Sequence, residues 1–157
     1  MGNASVDNSI KKSGLKTARL RACLKLCLDA CELGHRTVHL SVVADDEIQA
    51  LNRQWRAKDK PTDVLSFSQV EAAADDGFPM DVFPGPQPLG DIIISFETAA
   101  RQAREIGHSV DQEYQRLIVH GFLHLLGHDH VNGGRQAAKM KREEERLLSY
   151  LDERLEA

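Results

Sequence analysis

Residues 117–130 read LIVHGFLHLLGHDH. From His120 the spacing is H-x-x-x-H-x-x-x-x-x-H, ending at His130. Two histidines four apart in an apolar run predict a helix on which His120 and His124 share one face, about one turn from each other. That arrangement suits two imidazoles binding a single metal ion. The run is apolar nearly all round, from Leu117 through Leu126, so this helix should be buried at the centre of the fold.

A third ligand cannot come from a straight continuation of the helix. His128 would lie roughly 12 Å along the axis from His120, at 1.5 Å per residue, whereas zinc ligands sit about 2.0–2.1 Å from the ion. Gly127 supplies the alternative, because glycine after a helix readily takes the left-handed conformation that ends it and turns the chain back. His130 can then return to the metal. Zincin helices carry H-E-x-x-H, and metzincins add a glycine and a third histidine at the spacings found here. Gly121 stands where those proteases place the glutamate base. Three neutral imidazoles leave the ion its full charge, which favours an anionic substrate or hydroxide. Isolated histidines in an apolar helix are ordinarily packing or surface residues. Four within eleven residues, three of them at this spacing around a glycine, argue for a metal site. Asp129 is open to three readings: a carboxylate that orients a histidine, a base acting on bound water, or a turn residue.

Just before this helix, Ser109 with Gln112 matches a capping box. FETAARQAREI at 96–106 reads as a helix ended by Gly107. In GDIIIS, Ile92, Ile93 and Ile94 form a continuous apolar run, as in a strand covered on both faces. Asp91 at its start either reaches the site or caps a turn. Beyond the histidines, NGG at 132–134 reads as a loop. Residues 136–151 then form a charged helix with Met140, Leu147 and Leu148 inward and Glu143, Glu144 and Glu145 on a solvated face.

Upstream, residues 15–33 read as a helix whose Cys23, Cys27 and Cys31 join Leu20, Leu24 and Leu28 in one core-facing stripe. RTVHLSVV at 36–43 alternates as a half-buried strand, with His39 outward. DDEIQALNRQW at 45–55 reads as a helix capped by Asp45, with Ile48, Leu51 and Trp55 inward. VLSF at 64–67 reads as a strand. The segment 69–89 holds four of the five prolines, which marks either a functional flap or a partly ordered excursion.

Between helix and strand, RQWRAKDKPTDVLSF brings Arg53, Arg56, Lys58 and Lys60 into eight residues, opposed only by Asp59. The whole chain carries a formal charge of −4, so this basic patch stands against an acidic background. One reading is a solvated turn. The other makes Arg56 or a neighbour a phosphate clamp, because guanidinium pairs with phosphate oxygens through two hydrogen bonds. The four cations are the candidate substrate-binding residues.

At 157 residues the chain reads as one domain over 1–157, long enough to bury a core without disulfides. No stretch approaches the length of a membrane span, and no charged-then-apolar signal pattern opens the chain. With three cysteines in such a chain, a cytoplasmic location is expected.

Read together, RQWRAKDKPTDVLSF, LGDIIIS and HGFLHLLGHDH, in this order and spacing, closely resemble the YbeY family of bacterial ribosomal RNA maturation factors. The resemblance runs from about the first helix to the last. It implies an α+β fold in which a small mixed sheet packs against about five helices, with a buried central helix carrying the first histidines. It also implies a metal-dependent, single-strand-specific endoribonuclease acting in 16S rRNA 3′-end maturation and ribosome quality control. By resemblance His120, His124 and His130 match three zinc ligands, and Arg56 matches an arginine implicated in activity. Implied partners are single-stranded RNA, the small ribosomal subunit and assembly factors such as the GTPase Era, with no membrane. Family members usually have an N-terminal strand, whereas the segment before Leu15 is short and polar here. Ser68 stands where proline is common, and His128 where an aromatic or another polar residue is frequent.

The leading expectation is therefore that three histidines hold Zn²⁺ with an open position for water, while Arg56 and nearby lysines grip the RNA backbone and Arg56 and Asp129 are the catalytic candidates. The spacing alone would also suit a metzincin-like metallopeptidase, against which Gly121 offers no base. A non-catalytic assembly protein with a structural zinc is the third reading. Structural sites are normally closed by four protein ligands, and His128 or Asp129 would have to close this one.

Overall fold

The computed structural model describes residues 4–10, 15–69, 87–128 and 134–155. Their elements are β1 (Ala4–Asn8), α1 (Thr17–Ala30), β2 (Arg36–Val43), α2 (Asp45–Arg56), β3 (Val64–Ser68), β4 (Gln87–Ser95), α3 (Phe96–Ile106), α4 (Val110–Leu125) and α5 (Gly134–Leu155). Four strands form one mixed sheet in the order β1-β2-β4-β3. The first three are parallel neighbours and β3 runs antiparallel to β4. A parallel pair needs a crossover, and α1 provides it between β1 and β2. This is the α+β architecture expected, with five helices among the described residues.

The sheet buries both faces, as the isoleucine run of β4 required. Leu40 lies in register with Ile92 and Val42 with Ile94, and all four are fully buried with α1, α4 and α5 on that side. On the other side Ile93 packs with Leu65 and Phe67 against Ile48 and Leu51 of α2. Cys23 and Cys27 sit in the main core, where burial pushes the Cys23 thiol up to about 11 and that of Cys27 higher still. Thiols that stay protonated in this way behave as small apolar groups.

One point that the sequence left open is answered, and two expectations are corrected. First, a strand precedes Leu15: β1 adds to the edge of the sheet beside β2, with Ala4 opposite Val38 and Val6 opposite Leu40. Its outward Ser5 and Asp7 both meet His39, Asp7 at 3.2 Å, so His39 is a cross-strand partner on the sheet surface. Second, Asp45 does not cap α2. Its backbone N–H donates to Glu97, while its carboxylate accepts hydrogen bonds from Ser95, Thr98 and Arg101 and so ties α2 to the β4–α3 junction. Third, Trp55 is exposed rather than inward. The end of α2 overhangs the outer strand β3, where Trp55 meets only the edge of Phe67 among described aromatic rings.

Most of the proline-rich segment expected at 69–89, and the loop residues Asn132 and Gly133, lie outside the described residues. Among the described residues no helix is long and apolar enough to cross a membrane.

Candidate active site

The helix α4 is fixed at both ends and along its length. At its start Ser109 and Gln112 form the capping box in full. One turn later Glu113, fully buried, takes hydrogen bonds from Arg116 at 3.0 Å and pairs with His108 at 2.7 Å. A carboxylate without exposure needs such partners, and their removal would leave a buried charge. At the far end Gly127 has φ +90°, with its N–H on the His124 carbonyl and the His128 N–H on the Leu123 carbonyl. That pair of bonds is the Schellman motif, and it ends the helix at the glycine, as expected of Gly127.

Along its length α4 lies unusually close to the sheet at Gly121. A Cβ there would stand 3.0 Å from Ile92 Cγ2, 3.0 Å from Ser66 Oγ and 3.2 Å from Val64 Cγ2. The Ser66 hydroxyl donates to the Gly121 carbonyl at 2.9 Å. Even a Cβ at this position requires these neighbours to give by a few tenths of an ångström, so a side chain as long as the protease glutamate would crowd β3 and β4.

His120 and His124 face a cleft of ≈ 830 Å³ between α4 and the 57–63 stretch. Their Nε2 atoms are 3.1 Å apart and their rings meet at 72°. Two nitrogens bound to one zinc at about 2.0–2.1 Å in tetrahedral geometry are separated by roughly 3.3 Å. The pair therefore fits one metal ion. The Nδ1 atom of His120 is 3.0 Å from the Glu144 carboxylate on α5. A proton on Nδ1, shared with that carboxylate, leaves the Nε2 lone pair directed into the cleft, which is the tautomer a metal needs. Glu144 was expected on a solvated face and is instead a functional candidate. Nothing in the sequence of a Glu-Glu-Glu run singles out its middle member.

His130 and Asp129 lie outside the described residues. Among the described residues no group of three histidine, cysteine or carboxylate side chains is placed to hold a metal ion. His128 lines the cleft mouth. The Glu143 carboxyl is held below its usual range, chiefly by a direct hydrogen bond from Arg146 and by the charge of that guanidinium.

The basic stretch forms the opposite wall. Arg56, Lys58 and Lys60 line the cleft with Asp63 and Ser66. Arg56 donates to the Ser66 carbonyl at 2.7 Å and lies over the Phe67 ring, which anchors it to β3. Arg53 faces away, 3.6 Å from Asp59 in an exposed pair. Asn52, buried in α2, donates to the Lys60 carbonyl at 2.9 Å, and Gln49 donates to Asp59. These two bonds staple the lysine-bearing loop to the helix, a role that spacing could not reveal. Asp91 points to the α2 side of the sheet, level with Phe67, and lines a different groove.

Comparison with known proteins places this geometry in a family. The family model described as Endoribonuclease YbeY matches residues 4–152. An Endoribonuclease YbeY of Aquifex aeolicus is 42% identical over 146 residues, which are 93% of this chain and 91% of the relative. One of Novosphingobium aromaticivorans is 44% identical over 130 residues, 78% of this chain and 74% of the relative. Among solved structures, TM1509 of Thermotoga maritima aligns with a TM-score of 0.60 at 25% identity, over 94% of this chain and 88% of that one. A match that spans nearly every described element, including the histidine helix and the basic wall that faces it, means that the chain belongs to the Endoribonuclease YbeY family.

Proposed function

We propose that the protein is a zinc-dependent endoribonuclease that cuts single-stranded RNA in the cleft between α4 and the 57–63 stretch. The observation that carries this reading is the convergence of the His120 and His124 Nε2 atoms, 3.1 Å apart, in one cleft with Arg56, Lys58 and Lys60. A cleft with cations on one wall and imidazoles on the other suits a phosphodiester, not a peptide. Gly121 adds to this, since it offers no carboxylate base for a peptidase, and one there would crowd β3 and β4.

In this reading His120, His124 and His130 hold the ion, and Glu144 keeps His120 in the tautomer that presents Nε2. Zn²⁺ bound there supplies Lewis acidity toward the scissile phosphate and toward water. Arg56, braced by the Ser66 carbonyl, pairs with phosphate oxygens and offsets charge that builds during cleavage. Lys58 and Lys60 hold neighbouring phosphates. Asp129 is the candidate base. The substrate is ribosomal RNA, at the 3′ end of 16S rRNA, and the partners are the small ribosomal subunit and assembly factors such as the GTPase Era, in the cytoplasm. These assignments rest on resemblance to the family.

The test is incubation of metal-replete protein, its chelated form and Arg56→Glu with a structured RNA bearing a single-stranded tail. Metal-dependent cutting in the tail that fails in the variant supports the proposal. No cutting by any form, with the small subunit added, would favour an assembly protein whose metal is structural.

A further inference from the structure

Trp55 is the chain's single tryptophan and is 62% exposed. Its ring meets Phe67 of β3 edge-on, with centroids 6.3 Å apart at 69°. The Arg56 guanidinium lies 5.6 Å from the Phe67 centroid, on the same aromatic pair. With Leu51, Ile93 and Asp91 these residues line an open groove of ≈ 940 Å³.

That groove and the histidine cleft lie on either side of β3. Successive side chains of a strand point to opposite faces, so on β3 Ser66 turns toward Gly121 while Phe67 turns toward Trp55. Arg56, Ser66 and Ser68 line both cavities. An extended polymer crossing β3 would meet the histidines on one side and the aromatic pair on the other, with Arg56 between.

The two sides differ in charge. Lys58 and Lys60 outnumber the one carboxylate, Asp63, on the cleft side, whereas the groove carries Asp91 and, besides the shared Arg56, no cation among its described lining residues. Phosphates are thus drawn to the cleft, and the aromatic groove is left for an uncharged π-face. Stacking on an aromatic ring is the sequence-tolerant way in which proteins hold single-stranded nucleic acid.

We propose that Trp55 and Phe67 form a base-stacking subsite that holds one unpaired base of single-stranded RNA, whose backbone passes over Arg56 into the histidine cleft. This rests on the endoribonuclease reading above and adds a source of strand selectivity to it. A base in a duplex is stacked and paired already, so only a single strand can fill the subsite.

Because Trp55 is the one tryptophan, its fluorescence reports on this groove alone. The experiment titrates the metal-replete protein with a labelled 2′-O-methyl single strand, the matching duplex, and an abasic strand with the same number of phosphates. Anisotropy of the label gives affinity independently. The expected result is saturable quenching by the single strand at the midpoint seen in anisotropy, with little quenching by the duplex or abasic strand. Trp55→Ala should then bind the single strand roughly tenfold more weakly, and Trp55→Phe within a few-fold of wild type. Tight binding without quenching, or full affinity in Trp55→Ala, overturns the subsite while leaving the cleft reading intact, and points to a protein partner for the groove. Failure of wild type to bind or cut any single-stranded RNA overturns the cleft reading and the subsite with it.

Discussion

The Glu144 carboxylate lies 3.0 Å from His120 Nδ1, joining α5 to the histidine-bearing face of α4 across 24 residues of sequence. The contact is only about one-third exposed on either side, so water competes for it weakly. Its effect is to choose a tautomer and hold a ring. Glu144→Ala should therefore raise the metal dissociation constant about 10- to 100-fold, measured by competition with a chromophoric chelator. Glu144→Gln, which keeps an acceptor oxygen without the charge, should fall between. Unchanged affinity in both would remove Glu144 from the site.

Gly121 tests how closely α4 must approach the sheet. Gly121→Ala gains about 1 kcal/mol in helix propensity but meets three side-chain atoms at 3.0–3.2 Å, so its net effect on stability should be near zero. Gly121→Glu, which restores the protease residue, forces a carboxylate against Ile92 and Val64. It should cost at least about 3 kcal/mol in urea unfolding and confer no peptidase activity.

Asp45 supplies a pH signature. Partial burial raises its carboxyl, but hydrogen bonds from Ser95, Thr98 and Arg101, with the charge of Arg101, outweigh that and hold it below its ordinary value of 3.8. A carboxyl lowered on folding stabilises the native state above the unfolded value and stops doing so as pH falls through the folded one. Thermal unfolding should thus show wild type more stable than Asp45→Asn at neutral pH. The gap should begin to narrow only below about pH 3.8 and close at lower pH.

Lys58 and Lys60 are exposed cations on the cleft wall. If each neutralises one phosphate, Lys58→Ala and Lys60→Ala should each lower the slope of log affinity against log salt by roughly one unit on a single-stranded RNA. Arg53→Ala should leave the slope nearly unchanged, because Arg53 faces Asp59 outside the cleft.

What the sequence disclosed depended on whether a residue's role was local. The histidine helix, its capping box and its stop at Gly127 are written in spacings of three to five residues, and the structure reproduces them. The isoleucine run of β4 declared its two covered faces in the same way. Strand β1 was hidden because ASVDN offers only Ala4 and Val6 to the core, too few for an alternating signal. Trp55 follows the helical period of Ile48 and Leu51, yet it falls at the end of α2 over the outer strand β3, where it meets the edge of Phe67 and stays exposed, and periodicity does not record where a partner surface ends. Glu144 and Asn52 act through tertiary contacts, Glu144 on a histidine two dozen residues away and Asn52 on a loop carbonyl, and no pattern within their own helices marks them.

The most direct measurement is metal content beside RNA cleavage for wild type and His124→Ala, on a single-stranded substrate. Wild type should hold one ion per chain and cut the RNA, and His124→Ala should lose both together. A His124→Ala protein that retained its metal and cut RNA like wild type would contradict the account, because the converging imidazole pair would then have no part in the reaction.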